Sequence, residues 1–309
     1  MVRPTSIGGA AVSRTLAALA ILLFLTPLEA SDPVFRCPMH RDVVGKVGDR
    51  CRLCGMALAA ERDPSLAYSL EVTVPPAGLI PSTNVPVSIR VRDPRTGEVV
   101  RNFLEVHTKT LHLFVVSDSL EFYAHLHPAA GKDGGFRTTL NVPKAGLYRL
   151  LVDTFPADGN PQFLQHFLVT AGYRGPLSTL PRVTRDDLSS KTGGGVRTTL
   201  HMPAPVAGRE QLLTFEIQDA LSGAPIRTLQ PYLGAWGHLL VVSADRGDAF
   251  HAHPVDEIST PGGPNVVFQL MFARPGIYKM WLQFQIDGEV RTVPFAATVA
   301  ASTGAAQDN

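Results

Sequence analysis

The chain has 309 residues, with 28 basic and 27 acidic side chains and a formal net charge of +1. This balance, without any run of Lys or Arg, argues against nucleic acid and anionic membrane as partners. An apolar content of 45% is ordinary for a soluble globular protein. The 25 prolines and 27 glycines favour short strands joined by turns over long helices.

Residues 1–30 have the organisation of a secretory signal peptide. Arg3 and Arg14 supply positive charge, residues 16–25 form the apolar run LAALAILLFL, and Ala30 offers the small residue of a cleavage site. Ten apolar residues are few for a bilayer span, so an uncleaved anchor is the less favoured alternative. We therefore expect a periplasmic or secreted protein with no membrane span in its mature chain. Its length, roughly 280 residues, predicts about two domains.

All three cysteines lie between Phe35 and Leu58, in the sequence FRCPMHRDVVGKVGDRCRLCGMAL. Considered as ligands, they follow the order Cys-x2-His, ten residues, then Cys-x2-Cys, which is how a small metal knuckle collects four donors around one ion. A methionine near each pair would add a soft thioether if the ion is copper(I). The predicted ligands are Cys37, His40, Cys51 and Cys54, with Met39 and Met56 as additional donors.

Two alternatives to a functional metal site remain open for this segment. It could be a structural zinc knuckle, or Cys51 and Cys54 could form a disulfide that leaves Cys37 over. About 24 residues cannot bury a core, so a bound metal would supply most of the folding energy of the segment. In an oxidising compartment, only a metal or a disulfide protects such thiols.

The runs C-P-M-H and C-x-x-C-G-M-x-L resemble the heavy-metal-binding domain found near the N-termini of bacterial copper and heavy-metal efflux components. The common form of that family is C-P-M-H-P with P-G-x-C-P-x-C-G-M. This chain departs from it with Arg41 after the histidine, Asp49 in the loop and Arg52 after the first cysteine of the second pair. The resemblance covers residues 35–58, within the predicted domain at 31–60. It implies metal binding by the four proposed ligands and leaves the metal open.

The rest of the chain contains an internal repeat. Residues 112–128 read HLFVVSDSLEFYAHLHP, and residues 238–254 read HLLVVSADRGDAFHAHP, with histidines at the same positions. A D-x-x-[TS]-G turn and a later G-x-Y step also occur in both copies. These matches predict two modules and their flanks. The predicted boundaries are 66–172 for the first module, 173–195 for a linker, 196–300 for the second module and 301–309 for a disordered tail.

Each module shows the period-2 pattern of a half-buried strand. Val87, Ile89 and Val91 alternate with polar neighbours, and the second copy repeats this alternation from Leu213 to Ile217. Turns recur every eight to twelve residues, and the G-x-Y step resembles the tyrosine corner of immunoglobulin-like domains. The predicted fold is all-β: two tandem immunoglobulin-like antiparallel β-sandwich modules, preceded by the small metal-knuckle segment.

Three histidines in each module form candidate second metal sites. A His-x-His pair on a strand points both rings to one face, and a hairpin loop of two or four residues would bring the earlier histidine opposite one of them. Three neutral imidazoles suit copper(II) or zinc. The candidate ligands are His112, His125 and His127 in the first module, and His238, His251 and His253 in the second.

The alternative is that these histidines are structural, ending strands by capping carbonyls or by packing on Tyr123 or Phe250. His107 and His166 have no counterpart in the second copy and are candidates for strengthening a site in the first module. Because a linker separates the modules, the sequence predicts two independent sites. The modules also resemble, more loosely, exported bacterial proteins that carry H-x-H-P sandwich domains beside such a knuckle.

The leading functional hypothesis is an exported protein that binds copper or another heavy metal, for resistance or homeostasis. One alternative is an accessory component of a metal efflux system, in which a transfer or efflux protein would be the partner. Another is a structural or interaction protein with a zinc-stapled knuckle. We do not expect an enzyme, because no Ser/His/Asp order, paired-carboxylate motif or phosphate loop stands out, and the cofactor we expect is a copper or zinc ion.

Overall fold

The structure is a computed structural model. It describes residues 1, 34–36, 43–46, 49, 58–60, 67–176, 183, 185–255 and 261–302. The chain divides into a unit of residues 1–32, of which only Met1 is described, and a unit of residues 33–309 that contains every strand named below. The predicted signal peptide and the six proposed donors of the Cys/His segment therefore lie outside the described residues. Among those that are described, no helix is long and apolar enough to cross a bilayer.

A three-stranded antiparallel sheet is formed by described residues that lie before, between and after the proposed donors in the sequence. Its strands are β1 (Phe35–Arg36), β2 (Val44–Gly45) and β3 (Ala59–Ala60), in the order β2-β1-β3. Arg36 pairs with Ala59, so the residues just before and just after the cysteine-bearing stretch are joined. Two residues each are too few to hold such strands together alone, consistent with a segment that needs a metal to fold.

The first module is a sandwich of two four-stranded antiparallel sheets. Its outer sheet has the order β4-β5-β9-β8, and its inner sheet has the order β11-β10-β6-β7. The strands are β4 (Ser69–Thr73), β5 (Val85–Arg92), β6 (Leu111–Ser117), β7 (Tyr123–Leu126), β8 (Ala129–Ala130), β9 (Phe136–Leu140), β10 (Leu147–Thr154) and β11 (Gln162–Val169).

The second module repeats this plan, with an outer sheet β12-β13-β14-β17 and an inner sheet β16-β15-β18-β19. The strands are β12 (Lys191–Gly193), β13 (Val196–His201), β14 (Glu210–Asp219), β15 (His238–Ser243), β16 (Ala249–Ala252), β17 (Asn265–Met271), β18 (Gly276–Ile286) and β19 (Glu289–Val299). The module begins before the predicted residue 196, because β12 pairs with β13 from within the stretch interpreted as linker.

Each module has its own apolar core between its two sheets. In β5, Val87, Ile89 and Val91 are buried while their neighbours are more exposed, which confirms the alternation seen in the sequence. The tyrosine corner is also present in both modules. Tyr148 donates its hydroxyl to the carbonyl of Lys144 at 2.8 Å, and Tyr278 donates to that of Arg274 at 3.0 Å. The all-β, immunoglobulin-like sandwich fold is therefore confirmed.

The two inner sheets pack against each other. Phe114 of β6, Leu240 of β15 and Trp281 of β18 belong to one apolar cluster that lies between the modules. The ring of Trp281 stacks on that of Tyr123, with centroids 5.2 Å apart and an interplanar angle of 17°. Strands β6 and β15 are consequently buried on both faces, because one face meets its own core and the other meets the neighbouring module.

Candidate metal centre

The histidine pattern of each module is produced by one β-hairpin. In β6 and β7, Phe114 pairs with His125, and the Ser117 N–H donates to the carbonyl of Phe122 at 3.1 Å, which leaves a four-residue loop. This register, the second of the two that the sequence left open, sets His112 across from His127. Because cross-strand partners share a face, the three imidazoles of the hairpin point to the same side of the sheet.

The same hairpin recurs in the second module, where Leu240 of β15 pairs with His251 of β16. Both loops place a non-glycine residue in the left-handed region at the same position, Leu120 with a φ of 56° and Arg246 with a φ of 65°. Each loop is also tied by a serine hydroxyl that accepts a backbone N–H, from Phe122 at 3.0 Å in one loop and from Asp248 at 2.8 Å in the other. Local chemistry therefore sets the same register twice.

Three ring nitrogens converge in the first module. The Nε2 of His125 lies 3.2 Å from the Nδ1 of His112 and 3.2 Å from the Nε2 of His127. All three ligand atoms lie within 4.8 Å of one another. Around a tetrahedral ion with metal–nitrogen bonds of 2.0–2.1 Å, ligand nitrogens lie about 3.3 Å apart. The spacing of this first triad (His112, His125 and His127) therefore fits a three-nitrogen metal site.

In His112 and His125, the inner nitrogen faces the other imidazole and the outer nitrogen faces away from it. The hydrogen bonds of the outer nitrogens decide which nitrogens are free to bind a metal. The Nε2 of His112 lies 3.0 Å from the carbonyl of Val106, and the Nδ1 of His125 lies 2.7 Å from the Oε1 of Gln283. Since both partners are acceptors, each ring must carry its proton on the outer nitrogen in the neutral form. The two nitrogens that face each other across 3.2 Å then both present lone pairs, an arrangement that a cation between them stabilises.

The second triad (His238, His251 and His253) repeats this arrangement. The Nδ1 of His238 lies 3.1 Å from the Nε2 of His251. Their outer nitrogens lie 2.9 Å from the carbonyl of Tyr232 and 2.8 Å from the Oδ2 of Asp153, respectively. Neither ring nitrogen of the buried His253 has a hydrogen-bond partner among the described residues. An imidazole buried in this way is costly unless a ligand or ion satisfies it.

Burial keeps these histidines neutral at physiological pH. It lowers the pKa of His127 to about 4, and it lowers the pKa values of His238, His251 and His253 well below their usual range, with further lowering from neighbouring histidines. Burial also raises the pKa of the Asp153 carboxyl. We therefore interpret the contact between His251 and Asp153 as a hydrogen bond from a neutral imidazole. Neutral imidazole is the form that binds metals.

The two triads are not separate, and the prediction of independent sites was wrong. The rings of His112 and His251 have centroids 5.3 Å apart, and those of His125 and His238 are 5.8 Å apart. The physical reason is the two-sided burial of β6 and β15, which presses the histidine-bearing faces of the two inner sheets together. The runs HLFVV and HLLVV in the sequence carried this signal, because a strand exposed on one face would alternate.

The two additional histidines of the first module have different positions. His107 belongs to a tight turn of the first module, but its ring stacks on His253 of the second, with centroids 3.6 Å apart and an interplanar angle of 18°. His166 pairs with Leu150, a core residue, so it lies on the opposite face of the inner sheet from the triads. Of the two, only His107 joins the histidine centre, and it contacts the triad of the other module.

The structural alternative for the histidines named packing partners that differ from the one observed. The ring of His125 stacks on Phe114, with centroids 4.2 Å apart, rather than on Tyr123. Sequence reasoning missed Asp153 and Gln283, which hold the outer nitrogens of His251 and His125. The available signal was a polar residue inside an apolar stretch of each strand, Asp153 after LLV in β10 and Gln283 between MWL and F in β18.

Comparison with known proteins agrees with the division of the chain. The model of the family described as Heavy metal binding domain matches residues 34–61, which confirms the resemblance of the Cys/His segment. The model described as Domain of unknown function (DUF8832) matches residues 67–172 and again residues 190–301. No curated protein matches the chain.

Solved structures with a similar arrangement are remote in sequence. They include the Escherichia coli adhesin FdeC, with 14% identity over 80% of this chain and 68% of that one and a TM-score of 0.24. The Yersinia pseudotuberculosis adhesin InvE has 12% identity over 77% and 61% of the two chains and a TM-score of 0.22. A segment of two fibronectin type III domains from chicken tenascin has 11% identity over 75% and 98%, with a TM-score of 0.22.

These structural likenesses indicate nothing about function. The two family models, by contrast with single structures, match the sequence itself and cover most of the chain. The chain belongs to the family described as Domain of unknown function (DUF8832), whose model it matches over 67–172 and 190–301, behind a heavy metal binding domain at 34–61.

Proposed function

We propose that this protein is an exported heavy-metal-binding protein, with copper as its principal ion, that serves metal resistance or homeostasis. The observation that carries the proposal is the pair of facing ring nitrogens in each triad, 3.2 Å apart between His112 and His125 and 3.1 Å apart between His238 and His251. Their outer nitrogens are committed to acceptors, which leaves the inner lone pairs available to a cation. The heavy metal binding domain at 34–61 supports the same function.

The two parts of the chain suit two states of copper. Thiolates and thioethers are soft donors, so Cys37, Cys51 and Cys54, with the neighbouring methionines, favour copper(I). Imidazoles are borderline donors that suit copper(II) and zinc, and nitrogen ligands in general bind copper(II) more tightly than zinc. The Cys/His segment would capture the ion, and the histidine centre between the modules would store it.

Two further features of the proposal concern what happens to the ion. We propose binding rather than catalysis, because His112, His238, His251 and His253 are buried and offer little room for a substrate beside the metal. The match to a heavy metal binding domain, a segment that the sequence links to efflux components, favours a metal efflux or transfer protein as the partner that receives the ion.

The test is a titration of the mature protein with copper(II) and zinc at pH 7.5. A variant lacking residues 31–60 is expected to keep binding copper(II) with micromolar or better affinity, roughly −8 kcal/mol. Replacing Cys51 and Cys54 by Ser in the full chain is expected to remove the metal bound by the Cys/His segment and no other. His201→Ala is the matched control, since His201 is exposed and bonded to Glu216, away from the centre.

Two outcomes would contradict the proposal. A truncated protein that stays folded and takes up no metal would show that the triads are structural, as the zinc-stapled alternative requires. Unchanged metal content after the cysteine replacements would show that the Cys/His segment is not a metal site.

A further inference from the structure

We propose that the two triads form one binuclear metal centre in which each module supplies a supporting side chain to the other module's site, and that the site of the second triad binds metal more tightly. The inference rests on the proposed function, since it concerns the same histidines. It adds that each module supports the triad of the other, and that the second triad takes up metal before the first.

The exchange of support follows from the positions of Asp153 and Gln283. Asp153 lies opposite His112 in the pairing of β10 with β6, and Gln283 lies opposite His238 in the pairing of β18 with β15. The two residues therefore occupy equivalent places in the two modules. Each of them nevertheless bonds a histidine of the other module, Asp153 to His251 at 2.8 Å and Gln283 to His125 at 2.7 Å.

The chemical difference between these two supports makes the sites unequal. A ligating imidazole whose outer N–H is held by a carboxylate is a stronger base, and a better metal ligand, than one held by a neutral amide. The carboxylate also offsets the positive charge that a buried divalent ion brings. His251 has the carboxylate and His125 has the amide, so the second triad is the stronger site.

Two other contacts increase this difference. His107 of the first module stacks on His253 and thereby holds the orientation of the third ligand of the second triad. The equivalent position in the second module is Leu233, which shares the left-handed backbone of His107, with a φ of 49° in both, but has no imidazole to offer. The charge of Lys109 acts on His112 and His127 and disfavours a cation in the first triad, whereas the charge of Asp153 acts on His112 in the opposite sense.

The proximity of the triads makes them a single centre. Ring centroids of His112 and His238 are 6.1 Å apart, and those of His125 and His251 are 5.9 Å apart. Ions held by these rings would be separated by little more than one imidazole. Such ions must interact electrostatically and, if both are copper(II), magnetically.

The test measures each triad by itself in the mature chain carrying Cys51→Ser and Cys54→Ser, replacements that are expected to remove the metal of the Cys/His segment; this background is used throughout, including for the protein with both triads intact. His127→Ala leaves only the second triad complete, and His253→Ala leaves only the first. Asp153→Asn, which keeps the shape and the acceptor oxygen, is expected to weaken copper(II) binding about 10- to 100-fold in the His127→Ala protein. In the His253→Ala protein the same change is expected to weaken binding far less, because Asp153 acts on His112 only through its charge, while the outer nitrogen of His112 bonds the carbonyl of Val106.

A gain of affinity provides the reverse test. Gln283→Glu gives the first triad the carboxylate that it lacks, so copper(II) binding in the His253→Ala protein is expected to tighten by a similar factor. Electron paramagnetic resonance reports proximity: the protein with both triads intact and two copper(II) ions is expected to show a coupled signal that differs from the sum of the two single-site spectra.

The outcomes separate this inference from the proposed function. If neither single-site protein, confirmed as folded by circular dichroism, binds copper(II), metal binding by the triads is refuted. If both bind, but Asp153→Asn affects both equally or neither, the exchange of support is refuted while metal binding stands. A spectrum of the protein with both triads intact that equals the sum of the single-site spectra would refute the shared centre.

Discussion

At the scale of single residues, the dominant fact is the burial of neutral imidazoles. Burial lowers the pKa values of all six triad histidines below the ordinary value near 6.5. As the pH falls through that value, the unfolded chain takes up protons that the folded chain does not. The six histidines therefore stabilise the metal-free protein fully above about pH 6.5. This contribution is lost as the pH falls toward their lower pKa values in the folded state.

We accordingly expect the urea midpoint of the metal-free protein to fall steadily between pH 7 and pH 4, the region of the folded-state pKa of His127. The raised pKa of Asp153 acts in the opposite sense, but it is one group against six histidines. His201→Ala, which removes an exposed histidine, is expected to leave the profile unchanged. A flat profile for the wild type would contradict the burial of neutral rings.

The same lowered pKa values imply that metal binding survives below the pH of about 6.5 at which free histidine is half protonated.

A buried charge group joins the modules away from the histidines. Asp118, which is 8% exposed, forms an ion pair with Arg246 of the second module. The guanidinium of Arg149, which is 2% exposed, lies nearby, and burial together with the charge of Arg246 lowers its pKa to about 10. Asp118 opposes that shift, so it stabilises two arginines at once.

We expect Asp118→Asn to lower the free energy of unfolding by about 3 kcal/mol, because it leaves Arg246 without its ion-pair partner and removes one of the two carboxylates whose charge acts on Arg149. Adding Arg149→Met should recover part of the loss, and a double-mutant cycle in urea measures the coupling. Asp93→Asn is the matched control, since its partner Arg95 is exposed and such pairs contribute less than about 1 kcal/mol. Equal effects of the two aspartate changes would contradict this account.

At the scale of secondary structure, the inner sheets explain why β6 and β15 lack alternation. Leu113 and Val115 face the core of the first module, and Phe114 and Val116 face the second module. Trp281 of β18 extends this apolar contact by stacking on Tyr123. Aromatic pairs of this kind contribute beyond the area that they bury.

We expect Trp281→Ala to destabilise the protein by about 3 to 5 kcal/mol, the usual cost of removing a large buried ring, and to loosen the modules from each other. Urea unfolding followed with the fluorescence of the remaining Trp236 measures the change. Phe167→Ala, on the exposed face of β11, should cost far less because its side chain is 47% exposed. A small effect of Trp281→Ala would show that the inner sheets do not depend on each other.

At the scale of the whole molecule, the chain is two sandwiches that share one buried face. A module produced alone would expose the apolar residues and histidines of its inner sheet to water. We expect fragments 67–172 and 190–301 to be less stable than the intact protein and to self-associate, as measured by thermal unfolding and analytical ultracentrifugation. Two monomeric fragments with the stability of the intact protein would contradict the shared face.

The proposed export makes a separate prediction. We expect the mature protein to begin near Ser31 and to be recovered from the periplasm or the medium, because the apolar run at 16–25 is too short for a comfortable bilayer span. Mass spectrometry of the fractionated protein identifies the N-terminus. Recovery of most of the exported protein with residues 1–30 still attached would refute cleavage.

The local sequence pattern was sufficient to predict much of the fold and the composition of each triad. The period of two predicts strands, the repeated segments predict two modules, and loop parity predicts that three histidines of one hairpin share a face. The motifs that contain Cys37, His40, Cys51 and Cys54 likewise resemble a heavy metal binding domain, and the family match confirms that resemblance. These features depend on neighbours in the chain or on one hairpin, where backbone geometry alone decides which side chains meet.

Only the tertiary structure decided that the two triads form one centre. Asp153 and His251 are 98 residues apart in sequence, and His125 and Gln283 are 158 residues apart. Such contacts depend on which sheet faces are buried against each other, and an apolar strand can be covered by its own core, by another module or by another protein. The sequence determined the composition of each triad, and the packing of the inner sheets, driven by the burial of their apolar faces, determined what each triad contacts.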